Sequence, residues 1–112
     1  MASYLLDSEV DFTRMEGDDS DVEITISNDL NITGSSCKFE IQNRDKEVLI
    51  TKESANPGEI IITGQTIKVI LVPADTDGKS GTHRYEFKLL TADGKTYRIC
   101  RGDFFILQKI VD

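Results

Sequence analysis

His83 is the only histidine in the chain, so proton-transfer chemistry near neutral pH falls to it first. A general base needs a nucleophile within reach and a partner that orients its ring. No serine or cysteine motif around His83 supplies either. It shares alternation with Tyr85 and Phe87, so a structural or edge position is expected. Zinc takes three or four ligands, and one histidine with two cysteines of opposite parity is a poor supply. Hard cations need several oxygen ligands. Glu16, Asp18, Asp19 and Asp21 crowd one loop but match no fixed calcium-loop spacing, so they read as an acidic turn. Asp75-Thr76-Asp77-Gly78 begins like a calcium loop, yet no bidentate glutamate follows at the right distance. It reads as a capped helical turn. No phosphate-binding glycine loop is present. The expectation is a protein that is not an enzyme, with no catalytic residues, no cofactor and no metal.

The two cysteines, Cys37 and Cys100, invite comparison with an inter-sheet disulfide. Cys37 alternates in phase with Phe39 and Ile41 and should point inward. Cys100 is out of phase with Tyr97 and Ile99 and should point outward. Two free thiols are therefore expected, in keeping with a reducing compartment.

These groups must be positioned by short strands. Val10, Phe12 and Arg14 form a first one, broken by Gly17-Asp18-Asp19. Val22, Ile24 and Ile26 alternate with Glu23, Thr25 and Ser27. Cys37, Phe39 and Ile41 alternate with Lys38, Glu40 and Gln42, which face water. A loop at Asn43 to Lys46 leads into Val48 to Thr51. Ile60-Ile61-Ile62 runs to Gly64, and Ile67, Val69 and Leu71 run to Pro73. Pro73 to Lys79 is the one helical turn, with proline at a first helical position followed by acidic residues. Tyr85, Phe87 and Leu89 lie on a long strand. After the Asp93-Gly94 turn come a strand with Tyr97 and Ile99 and a closing strand, opened by Gly102, with Phe104 and Ile106. Eight or nine short strands at such spacing predict an all-β, antiparallel sandwich of the immunoglobulin-like kind.

The 112 residues suit a single domain, 1–112, with 1–8 as a candidate N-terminal arm. A content of 38% hydrophobic and 29% charged residues fits a folded globular chain and neither a disordered nor a membrane one. Acidic residues outnumber basic ones by 20 to 13, the wrong balance for neutralising phosphates, so nucleic acid is not an expected partner. No apolar run approaches the roughly twenty residues of a membrane span. The N-terminal MASYLLDSEVDF lacks the charged and apolar regions of a secretory signal, so synthesis and initial retention in a cytoplasm are expected.

Against this acidic background, Arg98 and Arg101 near Lys95, with Lys79, Arg84 and Lys88, form a basic concentration. It is either a solvated strand face or a docking patch for an acidic protein surface. Tyr4, Leu5 and Leu6 in the arm could pack on a neighbouring subunit or on the domain's own core edge. The closing strand, from Phe104 to Lys109, and the arm are candidate edges for pairing with a partner strand. The candidate partner contacts are thus Tyr4, Leu5, Leu6, Arg84, Arg98, Arg101 and Lys109.

Taken in order, Ile32-Thr33-Gly34, the strand of Phe39 and Ile41, Ile67 to Leu71 running into Pro73-Ala74-Asp75-Thr76, Gly81 before Tyr85 and Phe87, Asp93-Gly94, and Gly102 before Phe104 and Ile106 carry a likeness. The sequence resembles small immunoglobulin-like β-sandwich domains of tailed-bacteriophage structural proteins, of the baseplate upper protein and tail or neck type. The likeness covers about four-fifths of the chain. It departs at His83, where such domains often have an aromatic residue, and at Gly64. The resemblance implies a phage or prophage virion component of the tail or baseplate, assembling with other virion proteins, as a homo-oligomer or otherwise. It also implies a life in the host cytoplasm and then in the particle. The alternatives are a capsid-decorating protein and a carbohydrate- or receptor-binding module.

Overall fold

The computed structural model of the chain describes residues 3–4, 8–18, 21–26 and 32–110. Leu5, Leu6 and Asp19 lie outside them, and Tyr4 enters only through its strand position. The elements are β1 (Ser3–Tyr4), β2 (Ser8–Glu9), β3 (Phe12–Met15), β4 (Val22–Ile26), β5 (Ser36–Gln42), β6 (Val48–Glu53), β7 (Ile60–Thr63), β8 (Thr66–Val69), α1 (Pro73–Thr76), β9 (Gly81–Leu90) and β10 (Thr96–Leu107). They make a four-stranded sheet in the order β1-β4-β8-β7 and a six-stranded one in the order β2-β10-β9-β5-β6, with β3 also on β10.

Alternation builds the core as expected. Val22, Ile24 and Ile26 of β4, Ile67 and Val69 of β8 and Ile60 of β7 line the inner face of the four-stranded sheet. The six-stranded sheet answers with rings: Phe39, Tyr85, Phe87 and Phe104, joined by Phe12 at the margin. Phe39 and Phe87 stack with centroids 4.7 Å apart, and Phe12 and Tyr85 lie 5.2 Å apart, both tilted. Such pairs add about 0.5–1.5 kcal/mol each beyond area burial.

The expected first strand at Val10 to Arg14 is split into β2 and β3, with β1 ahead of them in the expected arm, and the closing half departs too, where a glycine explains it. The two strands expected at Tyr97 and Phe104 are one strand, β10, and Gly102 opens nothing. Its missing side chain makes room for the N-terminal segment. A Cβ at Gly102 would overlap the Val10 carbonyl oxygen and come within 2.8 Å of its carbon. Val10 N–H donates to the Arg101 carbonyl at 2.9 Å, and the Asp11 carboxylate accepts from Asp103 N–H at 2.9 Å. Strands β2 and β3 flank this close approach and pair with the same side of β10 in parallel and in one register, an exception in an otherwise mostly antiparallel fold; β1 also pairs with β4 in parallel.

A β-bulge between Arg98 and Cys100 corrects a second expectation. The extra residue puts both Ile99 and Cys100 on the inner face, so Cys100 is fully buried, not outward. The Tyr85 hydroxyl bridges it to the N-terminal segment, donating to the Val10 carbonyl and lying 3.1 Å from Cys100 Sγ. Both thiols are free and buried.

The acidic loop is a clasp. Glu16 is buried, and its carboxylate accepts Gly78 N–H at 2.7 Å and Lys109 N–H at 3.1 Å. Gly17 N–H donates to the buried Thr76 hydroxyl at 2.9 Å, and Lys109 Nζ lies 2.7 Å from an Asp77 carboxylate oxygen. Three remote segments are thereby tied together at the end of the sandwich. The α1 turn is held by Asp75, which accepts Val72 N–H at 2.8 Å, and by Lys79 Nζ, 3.0 Å from the Asp75 carbonyl.

Two outcomes follow. Gly102→Ala should lower stability by about 3 kcal/mol or more, because backbone cannot move aside as a side chain can, and a urea titration will read it. The thiols set a pH dependence. Burial pushes Cys37 up to about 12, and burial also raises Cys100 against the opposing effect of its bond to Tyr85. A raised thiol pKa contributes stability in full below its unfolded value near 9, and that contribution is lost as pH climbs toward the folded one. The urea midpoint should therefore fall between about pH 9 and pH 12, less so in Cys37→Ala.

Candidate functional site

The outer face of the six-stranded sheet gathers the basic side chains. Lys38 on β5 lies opposite Lys88 on β9, and Lys88 lies opposite Arg98 on β10. One rung of the sheet is thus three cations wide. The next rung sets Glu40 opposite Glu86 and Glu86 opposite Arg101; the third sets Gln42 opposite Arg84 and Arg84 opposite Asp103. All of these but Asp103 line an open groove of about 370 Å³, with five basic side chains against two acidic ones.

The bulge at Ile99 builds this face. Residues three apart on a regular strand point to opposite sides. Arg98 and Arg101 share a side because the strand gains one residue between them.

Like charges directly opposite one another across strands repel. Part of the repulsion is relieved within the face. Arg98 Nε lies 3.3 Å from a Glu86 oxygen, Lys38 Nζ lies 3.7 Å from Glu40, and Arg84 Nη1 lies 2.9 Å from Asp103. The arginines and Lys38 are about half exposed, so each such pair is worth only about 0–1 kcal/mol. Lys88 and Arg101 have no anionic partner among the described residues. The face has more positive charge than it can pair internally, on a protein of net charge −7.

Of the candidate contacts, Arg84, Arg98 and Arg101 come together here. Lys79 and Lys95 do not line the groove: Lys79 closes the α1 turn, and Lys95 follows the Asp93-Gly94 turn. Lys109 is held internally by Asp77. The closing strand is no edge, since β9 covers one side of it and β2 and β3 the other. Lys38 was the missing member. Its parity was legible, but only the β5–β9 pairing brings it to Lys88.

The other sites dissolve into structure. His83 is buried and its Nε2–H donates to the Lys79 carbonyl at 2.7 Å, while Nδ1 is buried without a partner. Glu16 spends both oxygens on backbone N–H groups. Among the described residues no group of three or more His, Cys, Asp or Glu side chains could hold a metal ion.

No protein-family model matches the chain, and neither does any curated protein. Solved structures do. CopC from Methylosinus trichosporium OB3b aligns over 96% of this chain and 89% of its own, at a TM-score of 0.52 and 10% identity. The extracellular domain of the voltage-gated sodium channel beta4 subunit, solved as parallel homodimers, aligns over 92% and 94%, at 0.53 and 13%. The fold is an immunoglobulin-like β-sandwich. At these identities the likeness to both is one of fold, and it carries no residue of either onto the groove.

The cationic rung makes a thermodynamic signature. Lys88→Gln removes its central charge and should raise stability by about 0.3–0.5 kcal/mol, read as an increased urea midpoint at low salt that fades at high salt. A lower midpoint would show that the rung is not strained.

Proposed function

We propose that this chain is a non-catalytic assembly module of a phage or prophage virion, in the tail or baseplate region. Its six-stranded sheet docks against an acidic surface of a neighbouring virion protein. The observation that carries the docking is the rung of Lys38, Lys88 and Arg98. A row of cations opposed across strands costs the isolated domain stability, and complementary charge on a partner relieves it. The virion setting rests on the resemblance of the Ile32-Thr33-Gly34 to Ile106 series to phage sandwich domains. A joining role also has a parallel in the beta4 ectodomain, whose homodimers are described as explaining its role in cell-cell adhesion. The non-catalytic reading is supported by the burial of His83 and by the structural use of Glu16 and Asp77. The protein is then made in the host cytoplasm and carried in the particle, with protein partners and no nucleic acid or membrane ligand.

Mass spectrometry of purified particles should detect the chain with tail fractions. The double variant Lys88→Glu/Arg98→Glu, with wild-type circular dichroism, should be incorporated at least about tenfold less, which corresponds to about 1.4 kcal/mol of lost docking energy. Absence of the wild-type chain from particles, or normal incorporation of the variant, would overturn the reading. Recovery with isolated heads would move the chain to a decorating role.

A further inference from the structure

The two sheets end on the same flank in very different ways. Strand β6 closes the six-stranded sheet and β7 closes the four-stranded one. Sheet edges offer unpaired backbone groups, and proteins blunt them with inward charges, capping side chains or proline. Strand β6 is blunted. Lys52 points inward and pairs with Asp75 at 2.8 Å, and the outward Glu53 N–H is capped by the Glu59 carboxylate at 3.0 Å. Strand β7, Ile60-Ile61-Ile62-Thr63, has no charge and no proline.

The register shows which of its groups are open. The two-residue Gly64-Gln65 turn joins Thr63 to Thr66, with Gly64 at φ +59, as the first position of a type II′ turn demands. At the other end Ile70 N–H donates to the Glu59 carbonyl at 2.8 Å. Bonded and non-bonded pairs alternate in an antiparallel ladder, so Glu59, Ile61 and Thr63 turn their backbone groups toward β8. Those of Ile60 and Ile62 point away from the sheet, and neither residue has a further partner among the described residues. On the solvent face Ile61 is 47% exposed.

We propose that β7 pairs antiparallel with β7 of a second copy of this chain, about a two-fold axis through Ile61. Self-pairing is what this edge fits. Centring on Ile61 sets Ile60 against Ile62 of the second copy, so both outward-facing residues exchange N–H and carbonyl groups in both directions. Ile61 then faces its own counterpart as a non-bonded pair, the closer of the two kinds, and its exposed side chain is covered. Glu59 falls opposite Thr63, so no like charges meet. The two four-stranded sheets become one continuous sheet, and the cationic grooves stay open on the other sheet of each copy. A four-residue ladder buries less than the roughly 1,200 Å² of stable complexes, so the pairing is weak and concentration-dependent.

Cysteine trapping tests this on the full chain. In Ile61→Cys the two Cα atoms across the axis should lie about 4.5 Å apart, within disulfide reach. In Thr63→Cys they should lie about 13 Å apart, beyond it. Under mild oxidation at high concentration Ile61→Cys should form a linked dimer at least about tenfold faster than Thr63→Cys. In sedimentation equilibrium the wild type should rise above its 12.5 kDa monomer mass with concentration. Ile61→Lys, which sets two like charges on the axis, should hold at the monomer mass. Equal trapping rates, or association unchanged in a folded Ile61→Lys, would overturn the pairing.

Discussion

The Val10 carbonyl oxygen sits where a side chain at position 102 would begin, and most of the sandwich depends on that close approach. It lets the N-terminal segment run alongside β10 and seat two parallel strands on the side that β9 leaves open. With that side filled, β10 becomes an interior strand, Ile106 is buried, and Phe104 packs against rings from three other strands. The Tyr85 hydroxyl reaches the Val10 carbonyl from inside, so the N-terminal segment is held from the core as well as from the ladder.

Beside this approach, the bulge at Ile99 couples interior to exterior. One extra residue turns Cys100 inward to Tyr85 and keeps Arg101 on the side of Arg98. Core and groove are therefore not independent. A change that straightened β10 would expose a thiol and break up the basic face together. The core is also uneven, with rings on the six-stranded side and β-branched chains on the other, so the groove is backed by interlocking aromatic rings.

Alternation made most of the core legible from the sequence, because Val22 to Ile26, Cys37 to Ile41 and Tyr85 to Leu89 keep strict period two. It failed where the period breaks. The bulge reversed Cys100, and Gly102, read as a strand opener, is a point of close approach. Arg84, Arg98 and Arg101 were legible as candidates because their strands are joined by a short turn. Lys38 was not, because its strand lies far away in sequence. Nor was the identity of the edges: strand order in a sheet is a non-local property, and only the pairings show that β10 is interior while β6 and β7 are not.

The parallel run of β3 beside the end of β10 bears on how the molecule carries load. Residues Phe12 to Met15 enter from the N-terminal side, and Phe104 to Leu107 leave toward the C-terminal side, in matched register. Tension drawn between the two ends of the chain therefore acts along this ladder, straining its four rungs together rather than peeling them one by one. The Glu16 and Lys109 clasp lies directly beyond the last rung. The same arrangement that closes the core at rest makes the domain a link that resists being pulled apart by its ends.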